Sequence, residues 1–158
     1  MNRNPIRVYA DTSVYGGCFD TQFESASVRF FEQARLGRFK PVISAIVQAE
    51  IAAAPKVVKN LFDDILDIGE VIEITDEAIR LRQAYLDAGI VTSKSANDAL
   101  HVALATVSRC SLIVSWNFKH IVHFRKIPLY NAINVIKGYN ALAINSPSAV
   151  IEDENKDI

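Results

Sequence analysis

The stretch RVYADTSVYGG, from Arg7 to Gly17, begins as a strand and breaks at an acid. Val, Ile and Tyr suit a pleated, half-buried surface, whereas Asp is depleted from one. Ile6–Ala10 therefore reads as a strand with Asp11 at its C-terminal end. Two readings of the acid stay open at this point. Asp11, Thr12 or Ser13 caps the following helix. Alternatively, the carboxylate sits where an open α/β sheet places its chemistry, just beyond the end of a strand.

Outward from this stretch, apolar spacing predicts helices over 25–36, 45–54, 57–66, 76–88 and 95–108, with Ser44 as an N-cap, Pro55 as a stop and Gly89 as another. Strands are expected at 41–43, 71–75, 112–116 and 132–136, and a short helix at 118–123. Strands alternating with helices define an α/β chain with a parallel sheet covered on both faces. At 158 residues the chain fits one domain, over 1–151, followed by a polar, acidic tail at 152–158 that is expected to be disordered.

Half of the residues are hydrophobic and the formal net charge is −1, which argues against a general nucleic-acid coat protein. An enzyme touching nucleic acid at one local patch is still compatible with that charge. No apolar run reaches the roughly 18 residues of a membrane span, and the N-terminus lacks a signal-peptide core. Cys18 and Cys110 are far apart and show no metal-ligand spacing, so free thiols in a cytoplasmic protein without a membrane partner are expected.

Three acids stand in unusual places. Glu50 shares a helix face with Ile46, Val47, Ala53 and Ala54, where an ionised carboxylate is expensive unless paired or metal-bound. It could also sit at the edge of the apolar stripe, partly exposed. Asp98 opens NDALHVALA above a core stripe, yet Ser95 to Asp98 also matches a capping box. His101, one turn later, reads as a packing or supporting residue. Asn117 follows LIVSW as Asp11 follows IRVYA, at a strand's C-terminal end. Oxygen ligands of this kind suit Mg²⁺ or Mn²⁺, and the chain's three histidines do not form a zinc pair. Two like charges about 4 Å apart repel by roughly 4 kcal/mol at an effective dielectric near 20, so converging carboxylates need a cation or a proton.

YADTSVYGG, SAIVQAEI, SANDALHVALA and LIVSWNFKHI resemble, in that order, the acidic motifs of the PIN-domain family, close to its VapC-like toxin branch. The resemblance spans about residues 7–147. It implies a three-layer α/β/α sandwich with a central parallel sheet, and an Mg²⁺- or Mn²⁺-dependent endoribonuclease that cleaves single-stranded RNA with water as nucleophile. Asp11, Glu50 and Asp98 match the catalytic, metal-binding acids. Ser13 matches a supporting polar position, and Asn117 falls where many members carry a fourth acid, which leaves it a weaker, uncharged ligand. Expected partners are RNA, an antitoxin protein and a second copy of the chain in a homodimer. Lys119, His120 and Arg125, interleaved with Trp116, Phe118 and Phe124, are candidates for substrate binding, or else a solvated face with core aromatics. A non-catalytic RNA- or protein-binding module is the alternative that Asn117 raises. A phosphoryl-transfer enzyme with Asp11 as nucleophile fits less well, because DTS lacks a second acid and Glu50 would have no role.

Overall fold

The computed structural model describes residues 4–152, so the acidic tail lies outside the described residues from 153 onward. In chain order the elements are β1 (Ile6–Ala10), α1 (Thr12–Gly17), α2 (Glu24–Arg35), β2 (Phe39–Ser44), α3 (Ala45–Ile51), α4 (Lys56–Leu66) and β3 (Glu70–Ile72). There follow α5 (Asp76–Asp87), α6 (Ala96–Val107), β4 (Leu112–Val114), α7 (Lys126–Ile136), β5 (Ala143–Asn145) and α8 (Pro147–Val150). The strands form one parallel sheet in the order β3-β2-β1-β4-β5. Helices α5, α6 and α7 pack on one another, as do α1, α2, α3, α4 and α8, giving the expected α/β/α sandwich.

Parallel strands covered on both faces read as continuous apolar runs rather than alternating ones. Accordingly Val8, Tyr9 and Ala10 of β1 are fully buried, and so are Ile113 and Val114 of β4. The chain lays β2 and β3 to one side of β1, then crosses back to lay β4 and β5 on the other. That reversal makes the C-terminal ends of β1 and β4 a topological switch point, where open α/β sheets bind ligands.

Two expected elements are corrected. Residues 132–136 are the last turns of α7, not a strand, and the edge strand is Ala143–Asn145. The run AINVI satisfies either period, which short apolar runs often do. The helix wins because Tyr130 and Asn134, one turn apart, both point inward: Asn134 accepts from the Tyr85 hydroxyl, and its amide donates to Thr106 Oγ1. Residues 118–123 form turns rather than a helix, with the amides of Ile121 and Val122 both donating to the Asn117 carbonyl. Cys18 and Cys110 are buried free thiols, as expected.

Candidate active site

Asp11 occupies the N-cap position of α1, but its side chain makes no capping bond. The carboxylate turns toward β4 instead, where the Asp11 backbone amide already donates to the Val114 carbonyl at 3.2 Å. Oδ1 accepts from Ser13 Oγ at 2.5 Å and Oδ2 from Ser115 Oγ at 2.6 Å. Each hydroxyl is in turn fixed by a backbone amide, Trp116 N–H donating to Ser13 and Asn117 N–H to Ser115, both at 2.9 Å. Asp11 is only 4% exposed, and no lysine or arginine pairs with it among the described residues. Burial pushes its carboxyl above the usual range, and Glu50 adds to this; His101 and the two serines pull the other way.

Glu50 comes from α3, which starts where β2 ends. Ser44 caps that helix, its Oγ accepting from Val47 N–H. The acid lies at the edge of the apolar stripe, its side chain 35% exposed, while Ile46, Val47 and Ile51 point into the core. One oxygen, Oε1, accepts from Thr12 Oγ1 at 2.6 Å and from His101 Nε2 at 2.9 Å. A carboxylate offers no proton, so His101 carries one on Nε2. In the neutral ring Nδ1 then accepts from the Tyr9 hydroxyl at 2.7 Å, and Tyr9 accepts from Ser44 at 2.7 Å. The bond from His101 is the main reason that the Glu50 carboxyl lies below its usual range, against a smaller opposing effect of burial, with Thr12 assisting. Glu50 Oε2 accepts no hydrogen bond among the described residues.

Asp98 stands in the first turn of α6, three residues before His101 and on the same helix face. It is half-buried, and its charge is felt at His120 and Tyr130. Of the two readings of Asp98, the capping box does not form. Ser95 makes no cap bond, and its hydroxyl contacts His120 Nε2 at 3.1 Å. Among the described residues no three His, Cys, Asp or Glu side chains gather as a metal-holding group. The structure thus brings Asp11 and Glu50 together across Thr12, with Asp98 one helical turn from the residue that touches Glu50.

Asn117 uses its side-chain carbonyl to accept the His120 amide at 2.9 Å, tying the turn that leaves β4. Lys119 and Arg125 are exposed. Both nitrogens of His120 are engaged, Nε2 with Ser95 and Nδ1 with Lys126 Nζ at 3.3 Å, and burial followed by Lys126 lowers its pKa. Of the interleaved aromatics, Phe118 is 49% and Phe124 92% exposed, which contradicts the reading that places them in the core. Thr12, Ser115, Tyr9 and Ser44 were missed as site residues. The available signal was that Thr12 and Ser115 lie within or beside the two strand-end motifs; nothing in the sequence marks Tyr9. A polar cleft of about 600 Å³ lined by Thr106, Arg109, Lys137 and Tyr139 lies where β4 and β5 begin, at the other edge of the sheet.

No protein-family model and no curated protein sequence matches the chain. Solved structures do. VapBC2 from Rickettsia felis, in a crystal structure bound to a DNA fragment from its promoter, matches at TM-score 0.56 and 18% identity, over 89% of this chain and 98% of that one. FitAcB from Neisseria gonorrhoeae matches at TM-score 0.58 and 14% identity, over 90% of this chain and 99% of that one. The likeness is one of fold. The architecture is a PIN-like α/β/α sandwich, shared with chains of these two structures.

Proposed function

We propose that the chain is a divalent-metal-dependent endoribonuclease that cleaves single-stranded RNA. In this reading it acts in the cytoplasm, as a single domain over residues 1–151, and is the toxin of a toxin–antitoxin pair. The observation that carries the reading is the Asp11 carboxylate, buried at the switch point of a parallel sheet, gripped by two hydroxyls and coupled through Thr12 to Glu50. A buried, unneutralised carboxylate costs stability and is characteristic of functional sites.

The donor set fits a hard cation: the acids offer only oxygen, and Glu50 Oε2 is free of protein donors. Asp11, Glu50 and Asp98 do not stand gathered as a metal group; in this proposal the three would draw together on Mg²⁺ or Mn²⁺, with Asn117 a weaker contributor. When bound, the cation supplies a water of lowered pKa and positive charge against the scissile phosphate. Ser13 and Ser115 fix both Asp11 oxygens before substrate arrives, so the carboxylate needs no reorganisation. His101, steadied by Tyr9, keeps Glu50 ionised and oriented. Lys119 and Arg125 supply cations for the RNA backbone. His120, with a lowered pKa and both nitrogens engaged, positions Lys126 and Ser95.

The test is cleavage of single-stranded RNA with Mn²⁺, with Mg²⁺ and with EDTA. Activity is expected only with metal, and at least ~100-fold lower for Asp11→Asn, the scale of losing one preorganised electrostatic group. Cleavage in EDTA, or undiminished in Asp11→Asn, would overturn the proposal. The second reading, a non-catalytic binding module, draws on Asn117, whose carbonyl serves a turn and whose side chain brings no charge. Metal-independent RNA binding without cleavage would favour it. An antitoxin and a homodimer complete the proposal, tested by rescue of growth on co-expression with a neighbouring small gene and by light scattering.

A further inference from the structure

The turn that leaves β4 presents aromatic rings beside the acids, and four separate features hold them there. The Trp116 indole N–H donates to Ser27 Oγ at 2.7 Å, and Ser27 is fully buried. The indole stacks on Phe23, with centroids 4.3 Å apart and planes at 22°. Gly17 leaves room for it: a Cβ there would lie 2.8 Å from Trp116 Nε1 and 2.5 Å from Ser27 Oγ. The Trp116 backbone amide is anchored on Ser13, the residue that holds Asp11. Phe118 then projects edge-on from this base, 6.1 Å from the indole, and half of it faces solvent. Its own amide donates back to the Trp116 carbonyl at 2.9 Å, which closes the turn tightly.

A half-exposed ring with an anchored indole behind it is costly to leave in water. The charge around it identifies what covers it. From residue 99 to 151 the sequence contains no Asp or Glu, and the segment after β4 carries Lys119, Arg125 and Lys126 in a chain whose net charge is −1; Arg109 and Lys137 of the same stretch lie at the other edge of the sheet. Lys119 is adjacent to Phe118, and Arg125 adjoins the exposed Phe124. Flat apolar rings interleaved with cations match single-stranded nucleic acid, whose bases stack while its phosphates pair with the charges. A duplex hides its base faces and offers nothing to stack.

We infer that Phe118, backed by Trp116 and Phe23, is a base-stacking subsite for single-stranded RNA adjoining the acids, with Lys119 and Arg125 on the flanking phosphates. The inference rests on the nuclease reading for its substrate, but its test needs no chemistry. Trp116 is the only tryptophan in the sequence, so intrinsic fluorescence reports directly on the platform. In EDTA at low salt, a short mixed-sequence single-stranded RNA should quench that fluorescence, and the same sequence as duplex should not. Phe118→Ala and Phe118→Leu should each weaken binding of a labelled copy about tenfold, the scale of one lost base stack, while Phe118→Tyr retains it. Phe118 is half exposed, so unchanged thermal unfolding should verify that these variants fold.

Wild-type affinity in Phe118→Ala, or duplex bound as tightly as single strand, overturns the subsite. If Asp11→Asn loses cleavage while Phe118→Ala binds RNA normally, the subsite alone fails. If stacking is present but the wild-type protein never cleaves, the subsite stands and the nuclease reading fails.

Discussion

The Asp11 carboxyl lies where water is excluded, and it therefore releases a proton more readily in the unfolded chain than in the folded one. Ionisation then favours unfolding. The penalty is absent below the unfolded value of 3.8, grows as pH rises, and is complete above the folded value. Asp11→Asn should melt higher than wild type at pH 7, and the gap should close as pH falls toward 4; a variant melting lower at pH 7 would contradict this. Glu50 runs the other way. Its carboxyl is lowered in the fold, so its contribution to stability is present above 4.5 and is lost as pH falls through the folded value. Ser44 serves two residues at once, capping α3 and donating to Tyr9. Removing its hydroxyl in Ser44→Ala should cost about 1–2 kcal/mol by urea unfolding, the scale of a lost N-cap plus an unpaired buried group. A loss below the precision of the measurement would show that Tyr9 finds another donor.

At the scale of elements, β1 and its acid were legible in the sequence because an apolar run ended at a charge. Ser44 and α3 were legible because a cap preceded a clean helical face. Other elements were not. The five residues of AINVI fit a helix and a strand equally, and only the inward partners of Tyr130 and Asn134 decide between them. α1 is not among the helices that the sequence predicts, the first of which begins at 25, since two glycines in six residues give it little propensity. Contacts between distant elements leave no local trace at all. Nothing around Tyr9 announces that it meets His101, 92 positions later. The packing of α1 against the β4 turn supplies a prediction of its own. Gly17→Ala drives a methyl group into Ser27 and Trp116, and should destabilise the protein by about 1–3 kcal/mol, as overpacked cores do. Tryptophan emission should shift with it. Wild-type stability and emission together would mean that the indole yields freely.

For the whole molecule, the proposed metal site makes stability depend on a bound cation. A cation binding the folded state alone, at a hundred times its Kd, adds about 2.7 kcal/mol, or roughly 5–10 °C in Tm for a chain of this size. Melting with and without Mn²⁺ should show that rise in wild type and a smaller one in Asp98→Asn. Equal shifts would mean nonspecific ion effects. The strand order was outside the reach of sequence, because alternation gives layers but not the path between them; the return of the chain across β1 is visible only in the structure. That return also sets a timetable. Asp11 is made early, but the hydroxyl on its second oxygen comes from Ser115, 104 positions later, and β1 has a neighbour on only one side until β4 docks. Such distant pairings form slowly and late. A growing chain that has already completed β1, β2 and β3 therefore has a carboxylate but no formed site. If the protein destroys RNA, it stays harmless to its own message and to the ribosome making it until most of its length has been synthesised.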